Sequence, residues 1–369
     1  MKIAFINDAI YAYASNEPSA VGGAERQQWL IASALSTAGW SVTVGLRRPL
    51  KPGDRCTIEG VEFVGLQPTH PLISWYRFLR SEQPDWWYWR CADHLLGPAV
   101  MIAKLAKVRT IFAAGFDTDV QPRHALVRRS RWWPLYAWGL SWTDKIILQH
   151  SGQLSSLKEA WRGKASVVPS IAMAPSNYIP HISRSGYVAW VGILRQPKRP
   201  DLLIEIARKT RAVRFVVCGG PSQHRSSSGY GEEIVKQLRQ LSNVDFRGQV
   251  DPAEAREIIG RSALLLSTSD GEGFPNVFLE AWASGTPVVT VRIDPDRIIQ
   301  EKGLGVVSGS VARAVKDIQG LLESPEKREA FAARAKLYVA DAHSAKMVCK
   351  MFESAIRSKY PRLFNVPAS

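Results

Sequence analysis

The sequence predicts an α/β protein of two doubly wound parallel-sheet domains facing a central crevice. Three observations predict it: a length of 369 residues, strand and helix patterns that alternate, and a Pro-rich stretch from Pro169 to Pro180 after which the alternation begins again. A chain this long exceeds what one hydrophobic core usually organises. Two successive runs of βα alternation build two mostly parallel sheets, and such sheets bind ligands outside the carboxyl ends of their strands.

The first run starts with an apolar strand at Lys2 to Ile6, followed by a helix over 24–38. That helix places Leu30, Ile31, Ala34, Leu35 and Ala38 on one stripe and stops at Gly39, a residue suited to a left-handed terminator. Strands follow at 42–46, 61–65, 86–89, 110–114 and 145–148, and Val167-Val168-Pro169 closes the series. The second run reads strand 187–191, helix 200–209, strand 214–218, helix 232–241, strand 244–246, helix 252–260 and strand 263–267. The expected domains are 1–175 and 176–354, with a C-terminal helix of about 355–369 packing back on the first.

Composition narrows the function classes. The hydrophobic share of 46% and charged share of 22% are those of a globular chain and exclude wholesale disorder. No apolar run approaches the roughly 20 residues that span a bilayer, and the first residues read as a strand and not as a signal peptide. The expected location is the cytoplasm. Cys56, Cys91, Cys218 and Cys349 lie far apart with no His at ligand spacing, so the expectation is buried free thiols and no metal.

The net charge of +15 suits polyanions or an anionic membrane face. Arg123, Arg128, Arg129 and Arg131 interleave with Trp132, Trp133, Tyr136 and Trp138. That mixture fits either a helix with core aromatics and solvated arginines or a surface for lipid headgroups, bases or sugars. No zinc-finger spacing or RNA-binding aromatic motif supports nucleic acid.

Two familiar nucleotide loops are missing. Ile6 is followed by Asn-Asp-Ala-Ile and not by Gly-x-Gly-x-x-Gly, and no Gly-x-x-x-x-Gly-Lys-Ser/Thr occurs. What stands out instead is the run Ser267 to Thr290, decoded as strand, glycine-rich loop, short helix from near Pro275, glycine stop at Gly285, and the next strand. Glu272 lies in the loop and Glu280 about one turn into the helix, with the amides near Asn276 and Val277 forming a positive end between them. A diphosphate fits that end, leaving each glutamate to hold hydroxyls of one attached sugar.

This segment resembles the Glu-x7-Glu region of glycosyltransferase family 4, retaining enzymes with the GT-B fold of two Rossmann-like domains. Gly22-Gly23-Ala24-Glu25-Arg26 resembles the family's N-terminal glycine loop, Val191 to Pro200 its basic donor loop, and Phe246-Arg247-Gly248 its base-binding turn. The order along the chain matches, and the likeness covers almost all of it.

The resemblance implies that Glu272 binds hydroxyls of the transferred sugar and Glu280 the nucleotide ribose. It implies phosphate-facing backbone at Gly273, Phe274, Asn276 and Val277, base contacts through Gly248, Gln249 and Val250, and a diphosphate lysine at Lys198. The family's arginine position holds Ile193, and Arg195 in the same loop is the candidate to replace it. Phe116 stands where many members place a His. Asp117 is the catalytic candidate that remains there, and both Asp117 and Asp119 suit either sugar contact or turn capping. Gly22 and Gly23 open an anion-binding helix start, or a plain tight turn.

The implied activity is metal-independent, with retention by front-face displacement and a donor phosphate oxygen assisting the acceptor hydroxyl. Lys198 and Arg195 would stabilise the departing diphosphate, so no cofactor is expected. A UDP-sugar is the first choice of donor and GDP-mannose the second. The Trp-rich first domain suggests a lipid-linked glycan or surface polysaccharide as acceptor, with peripheral contact at the inner face of the cytoplasmic membrane. The competing readings are a nucleotide-sugar epimerase or phosphorylase of similar architecture, and a non-catalytic nucleotide-sugar or lipid-headgroup binder.

Overall fold

The computed structural model describes residues 1–17, 22–173, 178–221 and 229–357. The chain divides into two compact units, Met1–Ile171 with Ala345–Ser369, and Ala172–Ser344.

The first unit holds β1 (Lys2–Ile6), β2 (Ser41–Leu46), β3 (Arg55–Ile58), β4 (Val61–Gly65), β5 (Trp86–Arg90), β6 (Arg109–Ala113), β7 (Lys145–Leu148) and β8 (Ala165–Val167). Their order in the sheet is β3-β4-β2-β1-β5-β6-β7-β8. Every pairing is parallel except β3 with β4. The sequence pattern missed β3, an edge strand whose residues are exposed or half-buried and therefore lack a hydrophobic signature. It turns into β4 through Glu59 and Gly60, both at positive φ, the geometry of a tight two-residue hairpin.

Helix Gly23–Thr37 runs as expected to within a residue, and Gly39 follows it at φ +85. Its buried face is Trp29, Ile31, Ala32 and Leu35, while Ala38, assigned to the apolar stripe, is exposed. Gln27 lies buried as well, its side chain exchanging two 2.9 Å hydrogen bonds with the Ile171 backbone. The returning helix spans Ala345–Arg357, starting well before the expected 355; residues 358–369 lie outside the described residues. Val348, Cys349, Phe352, Ala355 and Ile356 enter the same core cluster as β1 and β2. Trp40 fixes it further, donating to Glu353 at 2.7 Å and meeting Phe352 edge-on.

The second unit holds β9 (Ser185–Val191), β10 (Arg214–Cys218), β11 (Val244–Gly248), β12 (Ser262–Ser267), β13 (Val288–Thr290) and β14 (Gly305–Val307) in the order β11-β10-β9-β12-β13-β14. All pairings are parallel. Strand β12 is buried along its whole length, as a central parallel strand must be when helices cover both faces. The order reverses direction at β9, so β9 and β12 flank the switch point where doubly wound sheets bind ligands. In the first unit β1 and β5 flank the equivalent point.

Of the cysteines, Cys218 and Cys349 are buried free thiols, whereas Cys56 and Cys91 are half-buried. The Pro-rich stretch includes residues 174–177, which lie outside the described residues. Beyond it, His181 is buried and its Nε2 meets the Gly285 carbonyl at 2.7 Å, so Nε2 carries the proton. Its Nδ1 is buried without a hydrogen-bond partner. Burial, helped by the charge of Arg184, pulls the imidazole down to about 4.

Protonation of His181 is therefore easier in the unfolded chain than in the folded one. The stability this group contributes is complete above its ordinary value of about 6.5 and is lost as pH falls toward 4, by up to about 3 kcal/mol. Thermal melts across that window should show a falling midpoint that is flattened in His181→Gln; an equal slope in both proteins would remove His181 as its source.

Candidate functional site

The carboxyl ends of four neighbouring strands of the second unit are bound to one another. Gly192 N donates to Cys218 O at 3.0 Å, Leu194 N to Gly220 O at 2.9 Å, and Gly219 N to Gly248 O at 2.7 Å. The loop after β12 joins from the other side, with Asp270 N donating to Pro197 O at 2.9 Å and Thr268 Oγ1 to Lys198 O at 2.8 Å. Trp190, buried in β9, donates Nε1 to the same Thr268 hydroxyl at 3.0 Å. Thr268 is fully buried, so losing either bond would strand a polar group away from water.

This network sets Lys198 beside Glu272. Their side chains form an ion pair in which both are largely withdrawn from solvent, 17% and 9% exposed. Such a pair, unlike an exposed one, fixes two side chains because removing either leaves a desolvated charge. Arg195 lies one 3-10 turn before Lys198, with Lys198 N donating to its carbonyl at 2.9 Å. Its guanidinium Nε is buried without a hydrogen-bond partner. Ile193, at the position where an arginine would resemble the family, is 41% exposed.

Helix Asn276–Ala283 begins immediately after this loop and carries no side-chain cap, since Pro275 occupies the cap position. Glu280 is only 6% exposed and so is not a solvated surface glutamate. Gly273 is buried, and Phe274 points its ring into the core against Trp282 and His343. Asn276 and Val277 are half-buried at the helix start. The helix ends as predicted at Gly285, φ +66, ahead of β13.

Gly248 ends β11 at φ +67, and Gln249 follows it beside Gly220, to which an added Cβ would stand 3.6 Å from the Gln249 Cβ. Val250 packs at the margin of the core before Asp251 caps helix Pro252–Arg261. One charge cluster here was not foreseen: Asp270 pairs with both Arg199 and Arg292, and Arg199 also grips Asp201. These hydrogen bonds push the Arg199 guanidinium further up from its ordinary value. Half-exposed, they hold loop shape more than they stabilise the fold.

The first unit holds the other candidates. Gly22 caps helix Gly23–Thr37 at φ +106, a conformation that favours glycine, and its carbonyl accepts from Tyr13 at 2.9 Å. Asp119 is a turn cap: it is buried and accepts from the Gly115 and Phe116 amides at 2.9 and 3.0 Å, while burial raises its carboxyl. Asp117 is half exposed and accepts from Gln153 at 3.0 Å, with His150 Nε2 at 2.8 Å. His150 was missed in the sequence because an isolated His carries no spacing signal. Its place just beyond the carboxyl end of β7 was the available clue.

The tryptophans divide. Trp75, Trp86 and Trp87 are core, with Trp75, Trp87 and Trp89 stacked edge-on at 5.5–5.7 Å, so they do not form the acceptor surface the Trp-rich composition suggested. In the interleaved stretch the two readings divide: Tyr136 is fully buried in the core, whereas Trp132 and Trp138 are 50% and 38% exposed. The side chain of Arg129 lies outside the described residues. Among the described residues no cluster of three or more His, Cys, Asp or Glu could hold a metal, and no helix is long and apolar enough to cross a membrane.

Residues 185–335 match the family model described as Glycosyl transferases group 1. Among curated proteins, the chain is similar to D-inositol 3-phosphate glycosyltransferase of Segniliparus rotundus, 29% identical over 323 residues, 78% of this chain and 67% of that protein. It is 31% identical over 112 residues to the enzyme of the same name from Corynebacterium diphtheriae, 29% of this chain and 26% of that one. The chain thus spans well under two thirds of that relative, and of two others at 36% and 40%. Among solved structures, sucrose-phosphate synthase from Thermosynechococcus elongatus superposes with a TM-score of 0.76 at 15% identity, covering 97% of this chain and 98% of that one. HepE of Anabaena in complex with UDP-glucose gives 0.72 at 17%, covering 97% and 100%. The fold is GT-B.

The closeness of these loops is testable. Gly219 sits at φ +147, and a Cβ there would lie 1.8 Å from the Gly192 carbonyl oxygen, a backbone atom that no side-chain rotation relieves. Gly219→Ala should cost about 2 kcal/mol or more in urea unfolding. A variant as stable as the parent would mean that the β9 and β10 loops separate freely.

Proposed function

We propose that the chain is a retaining glycosyltransferase that moves a sugar from a nucleoside-diphosphate donor, a UDP-sugar before GDP-mannose, to a glycan or lipid-linked acceptor in cell-surface polysaccharide synthesis. The observation that carries this reading is the desolvated Lys198–Glu272 pair at the switch point of the second sheet, beside a helix start whose cap residue is Pro275. A lysine and a carboxylate held together there supply what a sugar diphosphate presents: anionic oxygens and hydroxyls.

Lys198, Arg195 and the helix-start amides take up the charge that develops on the departing diphosphate, which is chemistry that needs no metal. The buried Nε of Arg195 is a donor awaiting an acceptor, and a phosphate oxygen suits it. Glu272 holds sugar hydroxyls and Glu280 the ribose. The match of residues 185–335 to Glycosyl transferases group 1 supports the class, and the UDP-glucose complex of HepE supports the choice of donor base. Asp117, oriented by His150, is the acceptor-side candidate.

The non-catalytic binder remains as a second reading on one observation: Ile193 stands exposed where a diphosphate arginine would resemble the family. Thermal-shift titration against UDP-, GDP- and ADP-sugars tests donor choice, since binding raises the melting point by mass action. Glu280→Ala should weaken nucleotide binding. Glu272→Ala should lower kcat by about 100-fold or more with little change in nucleotide affinity. Unchanged kinetics in both variants would overturn the site, and tight nucleotide binding with neither donor hydrolysis nor transfer to pooled acceptors would establish the binder.

A further inference from the structure

Helices Leu96–Leu105 and Trp133–Trp142 of the first unit cross in close contact. A Cβ on Gly97 would lie 2.4 Å from the Leu135 carbonyl oxygen, and one on Gly139 2.7 Å from Gly97 N. Their inner faces enter the core through Leu96, Val100, Tyr136 and Leu140. A surface helix ordinarily turns a polar face outward. These two do not: Met101 and Leu105 are 47% and 63% exposed, Trp138 and Trp142 38% and 52%. Each pair is four residues apart and so shares one helix face.

The two faces are continuous, because Lys104 of the first helix lies over the Trp142 ring at 5.5 Å and Trp138 meets Trp142 at 5.7 Å. Trp132 extends the patch with Arg131 over its ring at 4.9 Å, and Arg128 covers Trp133 at 4.9 Å. The charges that lie on the rings are all cations, Lys104, Arg128 and Arg131. Residues 93–144 carry seven Lys and Arg against four carboxylates, of which Asp119 is buried, Asp117 faces His150 and Asp144 is held by Thr110.

We infer that these two helices form a docking face for an anionic lipid bilayer, with Trp132, Trp138, Trp142, Met101 and Leu105 entering the headgroup region and Lys104 and Arg131 meeting lipid phosphates. Tryptophan favours that depth, being apolar in body with one polar nitrogen, and a lysine stem lies along apolar surface while its ammonium reaches the phosphates. A protein partner of ordinary composition would bring carboxylates to a few of these cations, but a bilayer offers a continuous anionic plane matched to cations around an apolar centre. The inference is independent of the transfer reading, since lipid binding requires no donor.

The test is co-sedimentation of the full chain with vesicles of equal parts phosphatidylglycerol and phosphatidylcholine, and with vesicles of phosphatidylcholine alone. Binding should be about tenfold or more weaker without the anionic lipid, and weakened similarly by raised salt and by a Lys104→Glu/Arg131→Glu variant. A Trp138→Ser/Trp142→Ser variant should also lose binding while keeping its circular-dichroism melt, because both rings are partly exposed already. Equal binding to both vesicle types, or binding that neither variant alters, would overturn the inference. So would a dimer in solution that the tryptophan variant converts to monomer, which would assign the face to a second copy of the chain.

Discussion

The Lys198–Glu272 pair organises the second unit's candidate site. Two charges removed from water hold each other only if their backbones are already fixed, and here the fixing is done by backbone and hydroxyl groups. The Lys198 carbonyl is tied to Thr268, Thr268 to Trp190, and the Asp270 amide to Pro197. In the proposed role, a ligand drawing Lys198 toward phosphate and Glu272 toward hydroxyls would exchange side-chain partners without needing to break these backbone bonds. That is a cheaper rearrangement than ordering two free side chains.

The parallel sheet explains why such a frame exists. With all strands of the second sheet pointing one way, every strand ends on the same edge, and the loops after β9, β10, β11 and β12 meet there. One glycine allows the meeting: Gly219 lies against the Gly192 carbonyl closer than any Cβ at 219 permits. The first unit follows the same rule in another form, with Asp117 after β6 and His150 after β7 joined across neighbouring strand ends.

Much of this was legible in the sequence where the signal is local. Strands β9 to β13, the stop at Gly285 and the glycine opening of helix Gly23–Thr37 follow from residue types whose backbone preferences act without partners, whereas the short edge strand β14 was not foreseen. Edge strand β3 was illegible because an exposed edge carries no hydrophobic period. Ala38 was misplaced because a helix's last turn projects past the core it packs on. The strand of Trp86 and Trp87 was legible as core, but the fate of Trp132 and Trp138 was closed, since core and surface aromatics fit the same helical pattern.

By itself the sequence determined the alternation of elements, the positions of the two glycine-bearing helix starts and the order of Lys198, Glu272 and Glu280, because these depend on propensity and spacing. Only the tertiary structure decided that Lys198 and Glu272, 74 residues apart, are partners, that Glu280 is buried, and that Asp117 is gripped by His150. It alone put Trp132, Trp138 and Trp142 on the outside. The physical reason is the same in each case: desolvation and pairing are properties of what surrounds a side chain, and those surroundings come from strands distant in the chain that the sheet order brings together.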